Sequence, residues 1–278
     1  MRRSRLKFEG SNYGSTMRAK HLTEKGFWDN YWEIRNSEAA EIKRASEDSS
    51  INAILDVFEK YLPINEDFHA LEIGGAPGQY LIYMAKNFGY HLHSLDFSKV
   101  GNDQTLKKLT AANIKIDIYE RDLFSQNLKE DLPLFDLVYS LGFIEHFEDF
   151  NEVVRKHTDL LRPGGILLIG VPNLGGVYGF FLKRTAPRLL AIHNLDAMKN
   201  SNWDKFEKEL NLSTLFKGYV GGFEPLAMKK LEKKDLLARS MNFTVKRLVT
   251  ISSFRLSLFR KFNSRYWSMY LIGIYKKN

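Results

Sequence analysis

The chain has 278 residues, enough to bury a sizeable core, with the apolar (44%) and charged (27%) fractions of a folded globular protein and no cysteine, which excludes disulfides and thiolate metal sites. The formal net charge of +8 is concentrated at the ends: residues 1–26 hold seven Lys/Arg against two Glu, residues 229–278 thirteen against two acids, and the middle keeps 21 basic against 29 acidic residues. The basic N-terminus lacks the apolar stretch of a secretory signal and no segment is apolar enough to span a bilayer, so a cytoplasmic protein is expected.

Residues 49–62 place Ile51, Ile54, Leu55, Phe58 and Leu62 on one helical stripe that Pro63 ends. Strand and helix then alternate. "FHALEI" reads as a buried strand and "GQYLIYMAKNF" as a helix stopping near Gly89. "HLHSLD" is a second strand, followed by a helix from about Lys99 to Asn113. "IKIDIYE" and "LFDLVYS" are the third and fourth strands, "FNEVVRKHTDLL" a helix ending before Pro163, and "GILLIGV" a fifth strand broken by Pro172. This rhythm predicts an α/β fold with a parallel sheet and helices on both faces. Residues 174–200 break it and read as an insertion over the sheet edge. "SNWDKFEKELN" is then predicted as a helix capped by Ser201, and "LFKGYVGGF" as a sixth strand. Residues 226–262 read as basic and mostly helical, and "YWSMYLIGIYKK" as a closing strand.

The turn "LEIGGAPGQYL" lets backbone approach a ligand between a strand and its helix. Its glycines, Gly74, Gly75 and Gly78, match neither G-x-G-x-x-G nor G-x-x-x-x-G-K-[ST], and Glu72 at the strand end repels phosphate. A carboxylate there suits a cationic ligand or the amino group of an amino acid. Asp96 ends the second strand, where it can accept from both hydroxyls of a ribose. Asp122 follows the third, where it can accept from an adenine amino group while Leu123 packs the ring. Three acidic strand tips describe a site for a nucleoside without phosphates, each charge-assisted bond contributing about 1.5–3 kcal/mol.

The run "LEIGGAPG", "LDFS", "ERDLF", "FDLVYSLGFIEHF" and "LLRPGGILLIGVPN" resembles class I S-adenosylmethionine-dependent methyltransferases of the small-molecule and glycan branch, over residues 67–173. The resemblance implies a doubly wound, Rossmann-like, mostly parallel seven-stranded sheet with an antiparallel last strand and a substrate-capping insertion. It divides a single domain into a lid region (1–48), a cofactor core (49–173), a cap and helical region (174–262) and a closing strand (263–278). It also implies S-adenosyl-L-methionine as cofactor, with Glu72, Gly74, Gly75, Ala76 and Gly78 along its methionine part, Asp96 on the ribose, Asp122 and Leu123 at the adenine, and Ser140 and Leu141 lining the cleft. Ala76 departs from the glycine usual in the family.

Methyl transfer needs alignment of the acceptor, worth roughly 7–11 kcal/mol, and for a hydroxyl also a base. His146, just after the fourth strand, is the foremost candidate base, with Glu145 to orient it or to bind acceptor hydroxyls, and His193 in the insertion is a second. No metal is expected, because Gly142 stands where some relatives add a further carboxylate. Phe27, Trp28, Tyr31 and Trp32 form an aromatic face that serves either as a lid on the cofactor or as core packing. The predicted acceptor is a small polar hydroxyl or amine, and the basic ends fit a phosphorylated, nucleotide-linked or lipid-linked sugar, with peripheral membrane contact through the basic C-terminal region. RNA methylation and a non-catalytic cofactor-binding regulator remain as alternatives, the first weakened by "SLGF" where base-amino methyltransferases carry an "NPPY"-type tetrapeptide.

Overall fold

The structure is a computed structural model that describes residues 21–34, 42, 44, 50–223, 236–241, 243–244, 247 and 262–278. Seven strands form one sheet in the order β3-β2-β1-β4-β5-β7-β6. They are β1 (His69–Ile73), β2 (His91–Asp96), β3 (Ile116–Glu120), β4 (Phe135–Leu141), β5 (Leu161–Pro172), β6 (Leu212–Phe223) and β7 (Ser268–Lys277). The first five are parallel, and β7 lies antiparallel between β5 and β6. This is the mostly parallel seven-stranded sheet with an antiparallel last strand.

Buried side chains divide between the two faces, as a sheet covered on both sides requires. On one face Leu137, Tyr139, Leu168, Ile272 and Ile274 pack with Leu55 and Phe58 of α2 (Ser50–Tyr61) and Leu81 and Met84 of α3 (Gln79–Phe88). On the other, Leu71, Ile73, Val138, Leu167 and Ile169 pack with Val153 and Val154 of α6 (Phe150–Asp159). Ends obey local chemistry: Gly89 caps α3 at φ 79°, and the Ser98 hydroxyl accepts from Gly101 N–H at the start of α4 (Lys99–Ala111). Between β3 and β4 lies the short α5 (Leu128–Asp131).

Residues 174–211 depart from the predicted pattern. They contain α7 (Gly176–Thr185), α8 (Pro187–Ala191), two short 3₁₀ turns and α9 (Asp204–Glu209). Gly175, Gly176, Gly179 and Pro187 disguise α7 and α8 in the sequence, yet Tyr178, Leu182 and Thr185 fall on one buried helical stripe. Ser201 does not cap a helix: it sits in a 3₁₀ turn (Asn200–Trp203), and α9 begins three residues later without a side-chain cap. Ala197, Met198, Trp203 and Phe206 join the main core cluster, so the insertion is built into the body of the fold. The helical expectation for 226–262 falls mostly outside the described residues, as does most of the N-terminal basic segment; residues 236–241 are helical. Among the described residues no helix is long and apolar enough to cross a membrane.

The chain runs outward from β1 to β3 and returns to β4 beside β1, so the sheet's crevice opens at the carboxyl ends of β1 and β4. Trp203, fully buried with its indole N–H donating to Ala197 O at 2.8 Å, ties the insertion to that body. Trp203→Ala is expected to lower stability by about 3–5 kcal/mol in urea unfolding; a loss under about 1 kcal/mol would show that the insertion is only loosely attached.

Candidate active site

A cavity of about 280 Å³ occupies that crevice. Its first wall is the turn after β1. Gly74 has φ +69°, and a Cβ there would lie 2.4 Å from the Phe143 ring, so glycine is what admits Phe143. Gly74 N–H donates to Leu95 O at 2.9 Å and Gly78 N–H to Gly75 O at 2.7 Å, which closes the turn against β2. Asp96 at the tip of β2 accepts from Ser98 N–H at 2.8 Å and from the Ala76 amide, locking turn and strand together. Burial, only partly offset by these amides, raises the Asp96 carboxyl to about 6.

The second wall follows β4, where a short 3₁₀ turn (Ile144–His146) carries Glu145 and His146. This turn is held by other parts of the chain. Asn194 N–H donates to Glu145 O at 2.6 Å, and the Asn194 side-chain amide to Phe147 O and Glu148 O at 3.0 and 2.9 Å. Leu22 N–H donates to His146 O at 2.8 Å. His146 Nδ1 lies 2.9 Å from Ile192 O; a carbonyl only accepts, so Nδ1 carries the proton and Nε2 the lone pair. His193 Nδ1 is fixed likewise, 2.6 Å from Leu189 O, and the two rings are 4.6 Å apart. Burial raises the Glu145 carboxyl to about 8 and lowers His146 to about 4, with the neighbouring His193 adding to the latter.

Helix α1 (Lys25–Ile34) closes the third side. Phe27, Trp28, Tyr31 and Trp32 all line the cavity, and none of them is buried in the core. Trp28 meets His146 edge to face at 5.0 Å. The helix is tied down by the Ser98 hydroxyl, which donates to Asp29 Oδ1 at 2.7 Å, and by the Gln104 amide, which donates to Trp32 O at 2.8 Å. Gly101 lets Trp32 and Ala76 approach α4 closely. The aromatic stripe is therefore a cover over the crevice.

Of the residues singled out in the sequence, Gly74, Ala76, Asp96, Leu141, Tyr31, Glu145, His146 and His193 meet at this cavity. Others stand behind it. Glu72 is 4% exposed beneath the glycine turn, accepts from the Tyr139 hydroxyl at 3.2 Å, and burial pushes its carboxyl well up. A Cβ on Gly75 would lie 3.2 Å from that carboxylate, and Gly78 packs against Leu109 and Thr105 of α4. Asp122 accepts from Phe124 N–H at 2.9 Å, a turn that drives Leu123 and Phe124 into the core, so neither Asp122 nor Leu123 lines the cavity. The Ser140 hydroxyl faces away, donating at 3.0 Å to Nε2 of buried His157, whose Nδ1–H donates to Val153 O. Phe97, Phe143, Leu189 and Ile192 also line the cavity; Phe97 directly follows the tip of β2 and Phe143 stands two residues beyond that of β4, the signal that would have found them.

Residues 71–167 match the family model of a methyltransferase domain. The chain is 31% identical over 111 residues to a phosphoethanolamine N-methyltransferase of Plasmodium falciparum, covering 39% of this chain and 40% of that protein. It is 28% identical over 163 residues to a 27-O-demethylrifamycin SV methyltransferase of Amycolatopsis mediterranei, covering 55% and 53%. The matched stretches thus span about half or less of these relatives' own length. A solved SAM-dependent methyltransferase from Archaeoglobus fulgidus shares the fold at a TM-score of 0.51 and 16% identity, over 81% of this chain and 93% of that one. Residues 71–167 thus carry a methyltransferase domain of the class I, S-adenosylmethionine-dependent type.

Ser140→Ala is expected to remove the donor to His157 and cost about 1–3 kcal/mol in urea unfolding, with S-adenosylhomocysteine affinity by calorimetry unchanged within twofold. A large loss of affinity without loss of stability would return Ser140 to the cleft.

Proposed function

We propose that the protein transfers the methyl group of S-adenosylmethionine to a hydroxyl, or an amine, of a small polar acceptor. One observation carries this reading: a single covered cavity joins the glycine turn and Asp96 on one wall to Glu145, His146 and His193 on the other. Among the described residues no Lys or Arg lines it, which suits a sulfonium better than a phosphate. In this reading Gly74, Gly75, Ala76 and Gly78 run along the methionine part of the cofactor, with Glu72 bracing the turn from beneath. Asp96 accepts from the ribose, Phe97 flanks the adenine side, and Leu141 and Tyr31 bound the reacting centre. The imidazole and carboxyl groups of the second wall orient the acceptor and take part in removing its proton. Closing α1 over them keeps water from the sulfonium.

The acceptor's charge is read from the neighbourhood. Lys183, Arg184 and Arg188 lie on α7 and α8, the helices leading to Leu189, Ile192 and His193 at the cavity, which favours an acceptor bearing negative charge. Among the similar proteins, one is named for phosphoethanolamine and another for a demethylated rifamycin, consistent with small acceptors of varied skeleton.

S-adenosylhomocysteine is expected to raise the thermal midpoint while NAD leaves it unchanged; the reverse would contradict the reading. Asp96→Asn should weaken S-adenosylhomocysteine at least tenfold in calorimetry with the fold intact. The ribose bond needs the ionised carboxylate. Because burial places Asp96 near 6, affinity should be flat above that pH and fall as pH drops through it, by about tenfold one unit below. Affinity independent of pH between 5 and 7.5 would remove Asp96 from the ribose.

A further inference from the structure

The second wall holds more polar chemistry than a lone base requires. Ligand-capable atoms of Glu145, His146 and His193 all lie within 4.8 Å of one another, and His146 Nε2 is 3.9 Å from Glu145 Oε1. Both imidazoles have Nδ1 bonded to a main-chain carbonyl, which fixes ring orientation and puts the lone pair at Nε2. Imidazoles that bind cations are commonly held in this way. Glu145 is only 1% exposed, and its Oε2 is buried without a hydrogen-bond partner. A buried carboxylate oxygen left bare is costly, and among the described residues no Lys or Arg lines the cavity to pair with it. A base at His146 explains neither that oxygen nor the convergence of His193.

We propose that Glu145, His146 and His193 bind a divalent cation that holds the acceptor beside the cofactor. The inference rests on the methyl-transfer reading of the same cavity and names the means by which that wall grips the acceptor. Two nitrogens and one carboxylate oxygen favour a borderline ion, Mn(II), Fe(II), Co(II) or Zn(II), over Mg(II) or Ca(II), which prefer oxygen alone. A cation about 2.0–2.2 Å from each atom draws them to roughly 3–3.5 Å apart, a contraction within reach of side-chain rotation. Gly142 places no side chain against Glu145 Oε1: a Cβ there would already lie 3.6 Å away. Sequence spacing set a metal aside at Gly142; the third ligand comes from the segment after α8 instead.

Three ligands on one side leave the cation's remaining positions to water or to the acceptor. A hydroxyl bound there loses its proton to solvent more readily. Its oxygen attacks the methyl carbon, a C–O bond forms, and the C–S bond breaks with its electron pair going to sulfur, releasing neutral S-adenosylhomocysteine. The cation keeps its oxidation state. An acceptor with two neighbouring oxygens fills two positions at once, so that class is favoured over an isolated alcohol.

The test uses tag-free, chelator-treated full-length protein in equilibrium dialysis against Co(II) and Zn(II) singly, with the visible absorption of bound Co(II) as a second readout. Wild type should bind one equivalent with a Co(II) spectrum showing nitrogen ligation. Glu145→Gln and His193→Gln should bind at least tenfold more weakly while keeping wild-type circular dichroism and S-adenosylhomocysteine affinity within twofold. Wild type that takes up no metal but binds S-adenosylhomocysteine overturns the cation site and leaves methyl transfer standing. Equal metal uptake by the variants overturns it as well. Protein that binds metal but not S-adenosylhomocysteine overturns the underlying reading instead.

Discussion

Carboxyl groups buried with no countercharge among the described residues are the constraint on which this site depends. Glu72 beneath the glycine turn, Asp96 at the tip of β2 and Glu145 after β4 are all forced upward in pKa, with burial as the leading cause in each. Main-chain amides and one tyrosine hydroxyl soften the cost for Asp96 and Glu72, and Glu145 has least relief. Such sites are destabilising in an empty protein and become favourable when a ligand supplies positive charge or donors. The fold therefore gathers such carboxyls around one cavity, with Asp96 and Glu145 at its walls and Glu72 beneath the glycine turn.

The sheet meets that demand by its connectivity. Parallel strands deliver their carboxyl ends to one edge, and the return from β3 to β4 opens the crevice beside β1. Local chemistry then shapes each wall. Positive φ at Gly74 admits Phe143, the Ser98–Asp29 bond draws α1 across the opening, and Asn194 clamps the turn after β4 from the insertion. The insertion can act as a precise clamp because Trp203, Phe206 and Met198 are embedded in the main core.

Much of this was legible in the sequence. Apolar runs ending in or beside Glu72, Asp96 and Leu141 announced buried parallel strands, since both faces of such strands are covered and the pattern is continuous. The aromatic spacing of Phe27, Trp28, Tyr31 and Trp32 announced one helical face, although only the fold shows that it faces the cavity. Helices α7 and α8 were hidden because glycine and proline lower local propensity while tertiary burial of Tyr178 and Leu182 overrides it. The direction of Ser140 and the turn role of Asp122 were hidden for another reason: at a strand end the same residue can face cavity or core, and His157 and Phe124 decide it. The meeting of His193 with Glu145 and His146 depends on long-range bonds from Asn194 and Ile192, which no spacing rule encodes.

A crystal structure of the full-length protein with S-adenosylhomocysteine gives the most direct check on the cavity's assignment. The account predicts the ribose hydroxyls on Asp96, the methionine chain along Gly74 to Gly78, and the sulfur facing the wall of Glu145, His146 and His193. A nucleoside bound elsewhere, or oriented with its sulfur away from that wall, would contradict it.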